Sequence, residues 1–554
     1  MNHPTPAIAT ERSARRLPRL ALILFCAAYV LPGLVGRAPW RNADITAFGF
    51  MSSIANGLSS WWHPTIAGIP AEGALLPYWI GALFIKALPF ADPAFAARLP
   101  FALALAGVLI LTWYSSFHLA RTDAAQPVVF AFGGEAHAVD YARALADGSL
   151  LALIASLGLL RLGHETTPEL FQLLATSLLL YGLAAAPFRP GKARLAVLLA
   201  LPVLGISGAP AMAVAFGLLG ALICYRSSFE QVHRLVIWLL AAAVLAALTA
   251  WGVGAWVWRV VVPVSGLDLL THMLKLFAWF AWPAWPLALW TLWRWRSYWQ
   301  RRHVMVPTVC VAVPLLTSVL MGASDLALLL ALPSLAVLAA FALPTLRRSM
   351  AAAIDWFSVF FFSACALIAW LYYTGMHLGV PAWAWHGVQR LYAGFEPQFG
   401  VIALFFGSAG TLAWIWLVRW RTAKHQPALW KSLVLPAAGV ALCWLLWMSL
   451  WLPLADYVRS DRPLMQALQA HLPARLNCVA APGMSLPYLA SMELQSAWTW
   501  RVDAVTPVAS SHCDYLVQQA DGTGRYGIEG WQLIARLRHP GDRDAPDTLL
   551  YRRP

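Results

Sequence analysis

Apolar runs of about 18–20 residues, the length that spans a bilayer core, recur along most of this 554-residue chain. That pattern leaves few folds open. In lipid every backbone polar group has to be satisfied within the protein, so such runs must be helices packed on one another. With 60% apolar and 12% charged residues and a mean hydropathy of +0.64, the chain reads as an α-helical polytopic membrane protein.

The runs predict thirteen crossings, near 17–35, 74–90, 98–118, 148–162, 169–187, 195–224, 235–251, 276–293, 304–320, 325–343, 354–373, 400–419 and 431–450. Segment 195–224 is interrupted by Gly205-Ile206-Ser207-Gly208-Ala209-Pro210. We read it as one broken crossing, because two would reverse every later loop and neighbouring protein can satisfy a broken helix. With that parity, Arg294-Arg296-Arg301-Arg302, Arg347-Arg348 and Arg419-Arg421-Lys424-Lys431 join Arg15, Arg16 and Arg19 on the cytoplasmic side, as the positive-inside rule requires. The net charge of +14 therefore records orientation and not nucleic-acid binding, since residues 452–554 carry ten Arg, no Lys and ten acidic residues. The N-terminus has the look of a signal peptide, but so many spans follow Leu20–Leu34 that it reads as an uncleaved first helix.

Segments 36–73, 119–147, 252–275 and 374–399 then face the extracytoplasmic space, and a terminal domain, 452–554, follows a membrane domain, 1–451. The tail alternates a helix-like stretch, Asp461–Leu472, with short apolar runs at Asn477–Ala481, Tyr515–Gln518, Gln532–Leu537 and Thr548–Tyr551, the mark of a small periplasmic α/β domain. Cys26, Cys224, Cys310, Cys365 and Cys443 lie in or beside apolar helices, where a thiol packs as a small hydrophobe. Cys478 and Cys513 stand in the tail, where a disulfide between them is permitted.

Ionisable side chains are nearly absent from the spans; Lys86 and Asp325 lie near helix ends. Ion-coupled transporters use such groups at membrane depth, so their scarcity favours surface chemistry over ion-coupled transport. Polar residues gather instead in the first two outer loops. Asp44, in Trp40-Arg41-Asn42-Ala43-Asp44-Ile45-Thr46, precedes a short interfacial helix over Ala47–Gly57 and is either a general base or that helix's N-cap. Arg41 or Arg37 beside it could face a phosphate. The second loop carries Glu135, His137 and Asp140, with Asp147 opening the next span. Asp140 and Asp147 share a face on a continuous helix. E-x-H-x-x-D is a weak metal pattern, which leaves a divalent cation open beside solvated polarity or acceptor contacts. Glu72 closes Gly68-Ile69-Pro70-Ala71-Glu72-Gly73; Arg259, His272 and Lys275 lie in the third loop, and His377, His386, Arg390 and Glu396 in the fourth.

Residues 39–100, with P-W-R-N-A-D, W-W-H-P, G-I-P-A-E-G, P-Y-W-I-G-A and A-R-L-P, resemble the first extracytoplasmic loop of GT-C glycosyltransferases, both protein-mannosyltransferase-like and lipid A aminoarabinose transferase-like. The resemblance implies a GT-C fold and an inner-membrane, inverting enzyme. It would move a sugar, a hexose or pentose, from a polyprenyl phosphate to a lipid or protein acceptor outside the membrane. It implies Asp44 as base, and a second acid at the outer start of the fourth helix, which Asp147 matches best. Glu72 would be a loop or acceptor contact. The aminoarabinose transferases' acid–Lys–Pro–Pro run is here Glu72-Gly73-Ala74-Leu75, so the lysine that faces lipid phosphate is missing, and Lys275 or Arg259 are its possible replacements. On this reading Asp44→Asn abolishes transfer with the fold intact. The rival reading is a non-catalytic membrane protein, such as a lipid-linked sugar flippase or an assembly partner.

Overall fold

A computed structural model describes residues 5–257, 266–392, 394–423, 428–473, 476–496, 500–520, 527–541 and 545–554. The first half of the membrane part comprises α1 (Arg19–Val30), α2 (Ala43–Ala55), α3 (Leu75–Ala87), α4 (Pro93–Ala120), α5 (Ala138–Ile154), α6 (Leu157–Leu162), α7 (Pro168–Ala185), α8 (Pro190–Ile206), α9 (Pro210–Tyr225), α10 (Glu230–His233) and α11 (Leu235–Gly252). It continues with α12 (Gly266–Phe280), α13 (Ala284–Arg294), α14 (Arg302–Leu320), α15 (Asp325–Leu329), α16 (Leu332–Ala342), α17 (Arg348–Leu378), α18 (Ala382–Leu391), α19 (Val401–Ala423) and α20 (Lys431–Ser449). Among the described residues, seven helical stretches are long and apolar enough to cross a membrane alone: α4, α7, α10 with α11, α14, α17, α19 and α20. The shorter α1, α8, α9 and α16 pack among them.

Backbone bonds fix which loops share an end of the bundle. Near the head of α4, the Arg98 guanidinium donates to the carbonyl of Arg37 in the first loop. Beyond the tail of α4, the N-terminal segment crosses the other end. There Val128 and Ala136 donate to the Ala7 and Ala9 carbonyls, Ile8 donates to Pro344, and Leu429 donates to Ser13. Loop 119–137 therefore lies opposite loop 36–73, which corrects the expectation that 36–73 and 119–147 face the same side.

Two misreadings lie behind that error, and they cancel. α3 is 13 residues long, about 20 Å of helix against a hydrocarbon core of about 30 Å. It runs beside α2, with Gly81 pressed on Met51 and Tyr78 5.1 Å from Phe50, and does not cross. Segment 195–224 is two antiparallel helices, α8 and α9, joined at Ser207–Ala209, where Gln172 Nε2 holds the Ser207 carbonyl at 2.7 Å. The two changes leave the expected sidedness of everything after residue 225 as it was and invert it between 90 and 195. The signal was present in the sequence: the inverted order strands Arg121, Arg143, Arg189, Lys192 and Arg194 outside, against the positive-inside rule.

The first loop carries a hairpin, β1 (Thr65–Ile66) with β2 (Ile69–Pro70). The expected small α/β domain follows the membrane part. It contains α21 (Leu452–Arg459), α22 (Arg462–Gln469), α23 (Leu486–Gln495), β3 (Cys478–Ala480), β4 (Arg501–Asp503), β5 (Tyr515–Gln519), β6 (Gln532–Leu537) and β7 (Thr548–Arg552). Its sheet has the order β4-β3-β5-β7-β6, parallel among β4, β3 and β5 and antiparallel beyond. Cys478 and Cys513 are joined in a disulfide. The domain sits on the first loop: Ala490 of α23 meets Gly49 of α2, and Glu493 Oε1 accepts from the Ala67 N–H at 2.9 Å.

Close helix packing depends on glycine at one crossing in particular. A Cβ on Gly439 of α20 would overlap the Phe362 ring of α17. Gly439→Val is expected to lower the thermal midpoint of the detergent-solubilised protein, by an overpacking cost of about 1–3 kcal/mol. An unchanged midpoint would mean the two helices part without penalty.

Candidate functional site

Asp44 stands in the first turn of α2 and is fully buried. It is not the N-cap of that helix: Asn42 occupies the cap, with φ 72° and no side-chain capping bond, a conformation uncommon outside glycine. Its carboxylate is instead the centre of a polar knot. Oδ1 accepts from the Thr166 N–H at 2.8 Å and the Thr166 hydroxyl at 2.7 Å. Oδ2 accepts from the Trp40 N–H at 3.0 Å and lies 3.5 Å from the Arg37 guanidinium. Burial pushes the Asp44 carboxyl up, but Arg37, Arg98 and the Thr166 bonds outweigh it and hold the group below the usual carboxylate range.

Around the knot lies a shell of buried cations. Arg37 Nη2 donates to the His164 carbonyl at 2.8 Å, and Arg37 and Arg98 each keep a buried Nε–H without a partner. Trp40 lies between two guanidinium groups, Arg37 at 4.7 Å and Arg459 at 4.9 Å from its ring. His164 stacks on Trp444 at 4.1 Å, and its Nε2 donates to the Tyr29 carbonyl at 2.8 Å. Burial lowers its pKa to about 4, so the ring is neutral. Arg98, His164 and Thr166 form the polar wall of a small cavity whose other wall includes Val30, Phe101 and Leu105.

The terminal domain reaches into the same knot. Asp456 of α21 accepts from Trp40 Nε1 at 2.8 Å and from the Ala38 N–H at 3.1 Å. Arg41 donates its backbone N–H to the Arg459 carbonyl at 2.8 Å and Nη2 to the Val458 carbonyl at 3.0 Å.

Glu165 differs from Asp44 in every respect but place. It is partly exposed, and its carboxylate accepts no hydrogen bond from the described residues. Burial and the adjacent Asp44 charge push it up to about 7, against the pull of Arg37, Arg459 and Arg161. It also stands just before α7, the fourth crossing after α1, α4 and α5 once α3 is removed from the count.

The structure does not bring the other expected acids here. Asp147 accepts from the Leu17 N–H at 2.8 Å and Trp113 Nε1 at 2.8 Å. The rise along α4 from Arg98 to Trp113 is about 22 Å, so Asp147 belongs to the opposite end and pins the N-terminal segment. Asp140 pairs with Arg143 at 3.4 Å, and His137 precedes α5 at that same end. Glu72 is an exposed loop residue ahead of α3, and Lys275 is exposed on α12. Arg259 lies outside the described residues. Among the described residues no three His, Cys, Asp or Glu side chains gather to hold a metal. Sequence reasoning missed Arg98, His164, Glu165, Thr166 and Asp456, four of them because the order of crossings between 90 and 195 was inverted or their loop was placed inside.

No family model and no curated protein matches the sequence. Solved structures do share its fold. ArnT from Cupriavidus metallidurans, in crystal structures bound to undecaprenyl phosphate and in the apo state, aligns with a TM-score of 0.57 over 96% of each chain, at 12% identity. The GT-C fold expected from the loop pattern is thus the fold observed.

Asp44→Asn sets an NH2 against N–H donors and leaves Arg37 without its counter-charge. Breaking a buried pair in this way costs about 3–5 kcal/mol. A lowered melting temperature is therefore expected for this variant, contrary to the expectation of an intact fold. Wild-type melting would show that the knot does not hold the loop.

Proposed function

We propose that the chain is an inner-membrane, inverting glycosyltransferase that moves a sugar from a polyprenyl phosphate to a hydroxyl on an extracytoplasmic lipid or protein acceptor. The Asp44 end of the bundle faces outward on this reading, because the basic clusters gather at the other end. The observation that carries the proposal is a pair of neighbouring acids with opposed environments, set among buried arginines at one end of a fold shared with ArnT.

Glu165, rather than Asp44, is the general base. Asp44 has its oxygens engaged by four donors, whereas Glu165 has open lone pairs and a proton affinity near neutrality, which suits proton transfer in the transition state. The Glu165 carboxylate takes the acceptor hydroxyl's proton as the oxygen attacks the anomeric carbon. The bond from that carbon to the phosphate oxygen breaks, and the polyprenyl phosphate leaves with the electron pair. Arg37 and Arg98, with their unpartnered Nε–H groups, supply the positive field that a departing phosphate needs and take the part of the absent lysine. Asp44 acts through them by fixing the first loop and Arg37.

Glu165→Gln tests this. Transfer is expected to fall by about 10²–10⁴-fold, with a polyprenyl-phosphate sugar accumulating in the purified variant and free polyprenyl phosphate in the wild type, read by mass spectrometry. Wild-type kcat/KM should rise with pH through about 7, where Glu165 loses its proton, and the variant should lose that limb. No polyprenyl lipid in either sample would turn the reading to transport or binding.

A further inference from the structure

At the end of the bundle opposite Asp44, the tail of α4 meets the turn between α7 and α8. Arg121, Arg189 and Lys192 converge there on His118, whose ring feels all three charges. Four other arginines do have a carboxylate partner: Arg143 with Asp140, Arg161 with Asp325, Arg234 with Glu230 and Arg421 with Asp355. These three cations have no carboxylate partner among the described residues. Crowding like charges without compensation is unfavourable unless an anion joins them.

The cluster is also built rather than scattered. Arg121 stacks against two rings, Phe117 at 5.5 Å and Phe188 at 4.7 Å, which hold the guanidinium by its faces and leave its N–H edges available. Phe188 in turn stacks on His118 at 5.7 Å. His118 is only 5% exposed and its Nδ1 is buried without a partner. The first turn of the 17-residue α8 opens at the same place, behind Arg189, which makes no side-chain cap; its free N–H groups favour negative charge. Nothing lies within 4 Å of where a Cβ on Gly191 would be, so the approach is open.

We propose that this cluster binds the phosphate of an anionic phospholipid in the cytoplasmic leaflet. The apolar continuation of the site argues for a lipid over a free anion. Below Lys192 on α8, Leu195 and Leu199 are 60% and 50% exposed and follow it on one helix face, and Tyr114, 45% exposed, lies beside Tyr181. A headgroup on the cations thus has its chains on a leucine strip. Basic pockets between transmembrane helices on this side bind anionic headgroups. The site stands independently of the transferase reading, since its test reads lipid retention and not activity.

The experiment is native mass spectrometry of the full chain with added phosphatidylglycerol or phosphatidylcholine. Wild type is compared with Arg121→Gln/Lys192→Gln and with a control, Arg347→Gln/Arg348→Gln, which removes two exposed arginines that stack on no ring among the described residues. The first pair should weaken phosphatidylglycerol retention by about fivefold per charge and leave phosphatidylcholine unchanged. The control should change retention little, and both should melt like the wild type. Equal losses in the two double variants would reduce the cluster to general positive-inside charge and overturn the proposal. Inorganic phosphate that strips the lipid from the wild type as readily as from Arg121→Gln/Lys192→Gln would identify a free-anion site and overturn it equally.

Discussion

A carboxylate with no access to water is costly, and the Asp44 knot shows how that cost is offset. Four donors from the first loop and the loop before α7 converge on its two oxygens, and charge-assisted bonds of this kind are the stronger ones. The segments that supply them are more than 120 residues apart in the chain. The first loop, long and glycine-marked, therefore has a fixed course because one side chain inside it has to be satisfied from elsewhere. Buried Arg37 and Arg98 are tolerable for the same reason: each feels that negative centre.

The knot also separates two acids that the sequence does not distinguish. Asp44 is dehydrated but compensated, so it stays ionised; Glu165, a neighbour without donors, bears both its own desolvation and the repulsion of the first acid. Pairs of titratable groups pushed apart by environment are how one site comes to hold a fixed charge and a proton carrier together. His164, neutral and stacked on Trp444, contributes a rigid wall and no charge.

Much of the architecture was legible because hydropathy reports burial in lipid directly. The runs, the basic clusters and the mixed tail follow from composition and period, whereas the Cys478–Cys513 bond was only permitted by the sequence and is shown by the fold. Leu75–Ala87 reads as a crossing because it is a continuous apolar run, and periodicity cannot tell a helix that crosses from one tucked against α2; the basic residues that a crossing there would strand outside are the contrary signal. Asp44 was legible by place, but its surroundings were not, since Thr166 bonds it from a distant loop and Arg98 adds its charge from α4. Asp147 looked equivalent because both acids open helices. What separates them is which end of α4 each one faces, and that depends on the order of crossings.

Asp456 gives the terminal domain a standing in the membrane part that its separate sheet and disulfide would not suggest. Its carboxylate grips Ala38 and Trp40, and the backbone of Val458 and Arg459 is bonded by Arg41. Residues 37–41 and 456–461 thus form one interlocked clasp, split between the two ends of the sequence. The structural unit at this site is that clasp, which cuts across the boundary at residue 451. A domain exchanged at that boundary would carry half of the clasp and leave the other half behind.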